Sequence, residues 1–251
     1  EKTYAFWIFE NLGHPKERIQ KILPNQEIGD DLDPLNLVVL IRDKPPSELT
    51  DKIPLFGIED GFFLQYSDRP GLMTKKEIRV QLLAELELPK QGVIWDICAG
   101  VGSIGLEALR IRPELKLFAL DKRIGCKDLI KANAKRLSVK PVAIYETEAL
   151  IALTEQNLPS KLKYPDRVLL GGGGSNRASI LKRIIELLKK DGIIVIPLTT
   201  IDALNELETI LRSSNCDVSL SQHQAYRGVP IGKGTRLSPM NPVFILKGTK
   251  T

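Results

Sequence analysis

The residues with the clearest chemical potential lie where an apolar run gives way to glycines. Residues 93–97 lead into Asp96-Ile97-Cys98-Ala99-Gly100-Val101-Gly102-Ser103, after which the apolar residues take a helical period. Glycines in a strand-to-helix connection let backbone amides approach a ligand closely, and the helix start behind them favours anionic groups. A nucleotide-type cofactor is expected there. Read literally, Gly100-Val101-Gly102-Ser103-Ile104-Gly105 is G-x-G-x-x-G with Asp121 about 20 residues further on, which makes NAD a rival. Two features favour S-adenosylmethionine. Asp96 stands inside the strand end, where an ionised carboxylate is costly unless it holds something polar; it would attract an ammonium or sulfonium and repel a pyrophosphate. The second feature is the chain's ending, where two strands must pair antiparallel. Asp121 is placed to accept ribose hydroxyls from either cofactor.

Further candidates follow later apolar runs. Leu170 leads into Gly171-Gly172-Gly173-Gly174-Ser175-Asn176, a surface without side chains that ends at a helix start. It could lie flat against a broad ligand and offer amides to carboxylates. Arg177, Arg227, Lys233, Arg236, Lys75 and Arg79 fall in or beside segments expected at the open end of a parallel sheet. Arg227 and Arg236 flank the long final loop, with Tyr226 beside them as a possible donor. Thr74-Lys75-Lys76-Glu77 has the spacing of a capping box. The Asn/Asp-Pro-Pro-aromatic sequence that holds the amine of a flipped base is missing. Cys98, Cys126 and Cys216 are scattered without a C-x-x-C pair, and His14 and His223 have no neighbouring Cys/His cluster, so no metal site is expected.

These residues need a scaffold. The chain has 251 residues, with 36 Lys+Arg against 31 Asp+Glu for a net charge of +5, and 43% hydrophobic residues. That describes a globular chain with a real core and excludes disorder and fibre. No apolar run reaches the roughly 20 residues of a membrane span, and Glu1-Lys2-Thr3-Tyr4 lacks a signal-peptide layout, so a cytoplasmic location is expected. Near the N-terminus an apolar run at 4–9, a proline-led helix at 15–23 and a strand at 35–41 suggest a small β-α-β piece. The Pro-Pro stretch 42–54 reads as a boundary. Beyond it a helix is expected from Thr74 to about Leu88. Strands at 93–97, 115–120, 141–145, 167–170 and 192–197 then alternate with helices at 103–111, 125–137, 149–156, 176–190 and 201–213. Near-continuous Val/Ile/Leu strands between amphipathic helices indicate an α/β doubly wound, mostly parallel sheet covered on both faces. Two final strands, 217–225 and 242–246, are separated by a segment without helical period, 227–241, so a right-handed crossover cannot join them and an antiparallel hairpin is expected.

From Gly57 onward the chain resembles the decarboxylating precorrin C15-methyltransferases of cobalamin biosynthesis, which occur alone or as the C-terminal half of a fused C5,15-methyltransferase. The resemblance rests on Leu72-Met73-Thr74-Lys75-Lys76-Glu77-Ile78-Arg79, on the Trp95 to Ser103 loop, on Pro165-Asp166-Arg167-Val168-Leu169-Leu170-Gly171-Gly172, and on Arg227-Gly228-Val229-Pro230, Gly234-Thr235-Arg236 and Asn241-Pro242-Val243. Glu10-Asn11-Leu12-Gly13, Pro15 and Glu17-Arg18-Ile19 are similar to the tail of the C5-methylating domain. The resemblance implies a seven-stranded Rossmann-like S-adenosylmethionine-dependent fold with a C-terminal antiparallel hairpin. It divides the chain into a tetrapyrrole-methylase tail at 1–45, a linker at 46–56 and the methyltransferase domain at 57–251, with the C5 activity absent. Cofactor contacts are implied at Thr74, Cys98, Ala99, Gly100, Val101, Gly102, Asp121, Glu148 and Ala149, with Asp96 behind them. Glu148 stands where the family has an aspartate, and Cys98 where it has glycine, so the Cys98 side chain must point away from the cofactor. Substrate contacts are expected at Gly171, Gly172, Gly173, Arg177 and Lys233, with Tyr226, Arg227 and Arg236 positioning the substrate's carboxylates. The implied reaction moves a methyl group to C15 of a precorrin as the C12 acetate loses carbon dioxide. A tetrapyrrole partner, no nucleic acid or membrane, and a homo-oligomer, a tetramer in similar proteins, complete the expectation. An RNA methyltransferase, or a cofactor-binding domain inactive without its partner half, stay open as alternatives.

Overall fold

The computed structural model describes residues 4–22, 26–29, 31–42, 53–68, 73–172 and 174–251. It divides into two compact units, Glu1–Lys52 and Ile53–Thr251. Most of the expected linker, 46–52, lies outside the described residues. Residues 53–55 belong to the second unit: Ile53 is buried, and Arg110 donates to the carbonyls of Ile53, Pro54 and Leu55.

The first unit is a three-stranded antiparallel sheet of β1 (Tyr4–Glu10), β2 (Arg18–Ile22) and β3 (Asn36–Arg42), in the order β2-β1-β3. The helix expected at 15–23, and with it the β-α-β piece, is therefore corrected to a strand. Pro15 sits in the turn between β1 and β2, and Arg18–Ile22 alternates exposed and less exposed side chains, the period of a strand. The alternation has an electrostatic anchor: the buried Glu10 carboxylate accepts from Arg18 Nε at 2.5 Å, Gln20 Nε2 at 3.0 Å and the Asp33 amide at 2.7 Å.

The second unit is built on β4 (Gly92–Ile97), β5 (Leu115–Asp121), β6 (Ala143–Glu146), β7 (Arg167–Leu170), β8 (Ile193–Leu198), β9 (Cys216–His223) and β12 (Val243–Lys250). These form one seven-stranded sheet in the order β6-β5-β4-β7-β8-β12-β9. The five strands from β4 to β8 are parallel, and β12 runs antiparallel to both β8 and β9. The expected parallel sheet with an antiparallel ending is what the chain forms. Helices α1 (Lys76–Glu85), α2 (Ser103–Ile111), α3 (Cys126–Arg136), α4 (Ala149–Ala152), α5 (Arg177–Leu187) and α6 (Ile201–Arg212) connect and cover it. Alternate residues of the central strands feed two cores: Trp95, Ile97, Phe118 and Leu120 on one face, Ile94, Leu117 and Ala119 on the other. Trp95 meets Phe118 edge-on at 5.8 Å and spends its indole N–H on the Leu162 carbonyl at 2.8 Å.

Two local expectations are corrected. The segment 227–241 is not a loop: β10 (Tyr226–Ile231) and β11 (Gly234–Pro239) pair as a separate two-stranded antiparallel ribbon, turning at Gly232 with φ +55°. The capping box is not formed either. Lys75 is the N-cap of α1, without a side-chain cap bond, and the Glu77 carboxylate is taken by Arg227. Arg79, fully buried, holds that helix start in place. It donates to Glu107 at 2.9 Å, to Asp60 at 2.7 Å, and to the carbonyls of Thr74 and Ile58. Its expected reach to a ligand is thereby corrected to a role in the core.

Candidate active site

The C-terminal ends of β4 and β5 open onto a cleft of about 300 Å³. The connection from β4 to α2 forms its floor by alternating into left-handed backbone at Cys98 (φ +61°), Gly100 (φ +57°) and Gly102 (φ +76°). Glycine carries this conformation at no steric cost, and cysteine does not, which is the physical reason glycine suits position 98. A Cβ on Gly100 would meet nothing within 4 Å, so its requirement is conformational, while one on Gly102 would come within 3.1 Å of Ile130. The loop is tied to the neighbouring strand end. Asp121 accepts the Gly100 amide at 2.8 Å with one oxygen and the Arg123 amide at 2.9 Å with the other, and the Leu120 carbonyl accepts the Ala99 amide at 2.9 Å.

Cys98, Gly100, Val101, Asp121, Glu148 and Ala149 all line this cleft. Cys98 belongs to its wall while packing against the core of the Trp95 face. Ala99 packs against the core and Gly102 caps α2, so both shape the loop from behind. Asp96 is corrected more fully: it is 2% exposed, its carboxylate accepts the Gly105 amide at 3.1 Å under α2, and it does not line the cleft. Burial pushes its carboxyl up to about 7, against the Gly105 hydrogen bond that favours the ionised form. It fastens the helix start to the strand instead of facing a cation. Glu148 is met by Lys122 at 3.2 Å.

A second cavity of about 690 Å³ adjoins the first. Thr74, Gly171 and Gly172 line it together with Met73, Thr199 and Asn241, while Cys98 and Gly171 belong to both cavities. Gly171 is needed for the close approach of strand ends: a Cβ there would lie 2.7 Å from the Cys98 carbonyl oxygen. Its amide donates to the Ile97 carbonyl at 2.8 Å. Gly173 lies outside the described residues.

The cations expected at the open end are distributed differently. Arg177 is paired with Glu206 on α6 at 2.6 Å. Arg227 binds Glu77 at 2.6 Å and Asp60 at 2.9 Å, which raises its pKa above the ordinary guanidinium value. The Arg227 hydrogen bond holds the Glu77 carboxyl below its usual range; at Asp60 burial opposes ionisation, and Arg227 and Arg79 together outweigh it. Arg227 is thus the bolt of the β10–β11 ribbon, not a cation reserved for a ligand. Tyr226, Lys233 and Arg236 also ride on or at the turn of that ribbon and line neither cavity.

Sequence reasoning missed Tyr66, Lys122 and Arg123, which complete the first cleft. Arg123 stacks its guanidinium 4.8 Å from the Tyr66 ring centroid. The Tyr66 hydroxyl is buried with no hydrogen-bond partner, alone in this among the described residues. The only signal in the sequence was an aromatic residue in a glycine- and aspartate-rich loop. Open space above Gly100, an acid at the next strand end and an unpartnered buried hydroxyl together fit a nucleoside-bearing ligand.

Comparison with known proteins gives this geometry a family. A protein of Pyrobaculum aerophilum named "Probable cobalt-precorrin-6B C(15)-methyltransferase (decarboxylating)" is 33% identical over 192 residues, 76% of this chain and 94% of that protein. A precorrin-6Y C(5,15)-methyltransferase [decarboxylating] of Sinorhizobium sp is 29% identical over 246 residues, 97% of this chain and 55% of that protein. The crystal structure of precorrin-6Y C5,15-methyltransferase from Geobacter metallireducens superposes with a TM-score of 0.71 at 29% identity, covering 79% of this chain and 100% of that one. With residues 65–250 matching the family model for the precorrin methyltransferase domain, the chain belongs to the precorrin methyltransferase family.

Proposed function

We propose that the chain methylates C15 of a precorrin, with S-adenosylmethionine as donor, as the substrate's C12 acetate is lost as carbon dioxide. The observation that carries this reading is the junction of the two cavities at Cys98 and Gly171. A cofactor-sized cleft there abuts a larger cavity with Met73, Ile78, Pro197, Met240 and Val243 in its wall, an apolar surface suited to a broad macrocycle. The names carried by the relatives support the substrate class and the decarboxylation.

Asp121 would accept ribose hydroxyls while the loop amides keep it oriented, and Ala149 and Glu148 would border the adenine. When bound, the cofactor supplies an electrophilic methyl group. The chain contributes position and exclusion of water: the glycine surface at Gly171 and Gly172 lets the acceptor lie close, and Thr74 and Asn241 offer polar contacts at its rim. A conjugated carbon nucleophile needs no strong side-chain base, so alignment and a field that favours carbon dioxide loss are the protein's task. Arg236 and Lys233 are assigned to the substrate's peripheral carboxylates, since β11 runs directly into Met240 and Asn241 of the cavity wall. Residues 1–45 are assigned to the tail of a C5-methylating domain, supported by the Sinorhizobium alignment over 97% of the chain.

The test is incubation with S-adenosylmethionine and cobalt-precorrin-6B, followed by mass spectrometry. A product that has gained a methyl group and lost carbon dioxide supports the proposal; a methylated product that keeps every carboxyl overturns the decarboxylating half. Unchanged substrate under conditions where the cofactor binds overturns the choice of acceptor.

A further inference from the structure

The unpartnered hydroxyl of Tyr66 calls for an explanation, because buried polar atoms in folded proteins almost always have a partner. The segment that carries it is not loosely placed. Asn133 of α3, buried, accepts the Leu64 amide at 2.7 Å and donates to the Leu64 carbonyl at 3.0 Å and to the Val101 carbonyl at 3.1 Å. One side chain therefore fastens the backbone two residues before Tyr66 and the cofactor loop to each other. Arg123 covers the ring, and its own amide is spent on Asp121. Both Asp121 oxygens already accept backbone amides. Tyr66 is thus held at the Asp121 end of the cleft with an empty donor, and burial, with the charges of Asp121 and Glu146 nearby, pushes its phenol up to about 12, so the hydroxyl keeps its proton at neutral pH.

We infer that Tyr66 is a cofactor-binding residue whose hydroxyl donates to a ribose oxygen of the adenosyl group, with the Tyr66–Arg123 stack forming the outer wall over that group. The inference rests on the proposed identity of the cofactor. It assigns a role to a loop residue well before α1, outside the strand-end motifs in which the candidate contacts other than Thr74 lie. It also assigns a cost: without ligand, the chain holds a desolvated hydroxyl that satisfies nothing.

The experiment pairs calorimetric titration with S-adenosylhomocysteine and thermal melting without ligand, on the wild-type chain and on Tyr66→Phe. Loss of one net hydrogen bond predicts about tenfold weaker binding by the variant. Because the ring and its stacking stay, the unliganded variant should melt at the wild-type temperature or above it. Equal affinity of the two proteins would overturn the inference while leaving the cofactor reading intact. So would weaker binding accompanied by a lower melting temperature without ligand, since that marks a packing role. Failure of the wild-type chain to bind S-adenosylhomocysteine would overturn the cofactor reading itself, and this role with it.

Discussion

At Asp96 burial and ionisation oppose each other. The carboxyl titrates near 3.8 in an unfolded chain and at about 7 in the folded one. Between those values the native state binds the extra proton, so stability falls as pH rises through the window and the penalty is complete above it. At about 1.4 kcal/mol per pH unit the effect is of order a few kcal/mol. Replacing Asp96 with Asn should remove it: urea unfolding at pH 4.5 and pH 7.5 should show D96N gaining on the wild type at the higher pH. Gly171→Ala is a purely steric test. Its Cβ would press on the Cys98 carbonyl at 2.7 Å, and forcing β4 and β7 apart should cost about 1–3 kcal/mol, seen as a lower denaturation midpoint with weakened cofactor binding. The two positions also mark how legible the site was. Gly171 stood in a glycine run that reads as a flat surface for a ligand, whereas its missing side chain is what lets the Cys98 carbonyl approach. Asp96 was correctly seen as a costly acid at a strand end, yet a sequence does not tell which side of the pleat turns toward the cleft and which toward a helix. Tyr66 was beyond reach, because its meaning lies in the absence of a partner in three dimensions.

Among the elements, α1 depends on a charged core. Arg79 and Glu107 are both fully buried, and Arg79 also serves Asp60. Replacing Arg79 with Met would strand the Glu107 carboxylate in low dielectric while Asp60 keeps Arg227, and a loss of about 3–5 kcal/mol is expected by chemical denaturation. Arg227 is different, since its side chain is 42% exposed. Its pairs with Glu77 and Asp60 are open to solvent and salt, so Arg227→Gln should cost only about 1 kcal/mol overall. What should change is the ribbon: limited proteolysis is expected to cut between Tyr226 and Pro239 faster in R227Q, and in the wild type at high salt. The ribbon itself was missed in the sequence for a physical reason. Both of its faces are largely exposed, so it lacks the apolar alternation that betrays a half-buried strand, and its prolines argued for irregular backbone. The Gly232-Lys233 turn was the available hint. At 18–22 the error ran the other way: Pro15 looked like a helix start, although the residues after it alternate with a period of two. The central parallel strands, rich in Val, Ile and Leu, were legible because nothing else buries such a run on both sides.

For the whole molecule, the chain divides into two compact units, and both large apolar cores lie within the one that begins at Ile53. A chain beginning at Ile53 should therefore keep the main melting transition and the affinity for S-adenosylhomocysteine, which differential scanning calorimetry and titration can compare with the full chain. The order of the large sheet has a consequence for the way it is made. β9 touches the sheet only through β12, which follows it in the chain and is inserted between it and β8. As the polypeptide emerges from the ribosome, the five parallel strands can assemble in turn, but β9 has no place to dock until residues 243–250 have followed. For that interval β8 presents an unprotected edge of Ile, Ile, Val and Ile, the kind of template on which nascent chains pair with the wrong neighbour. Slowed translation or C-terminal truncation should therefore send this protein toward aggregates before it costs any catalytic group.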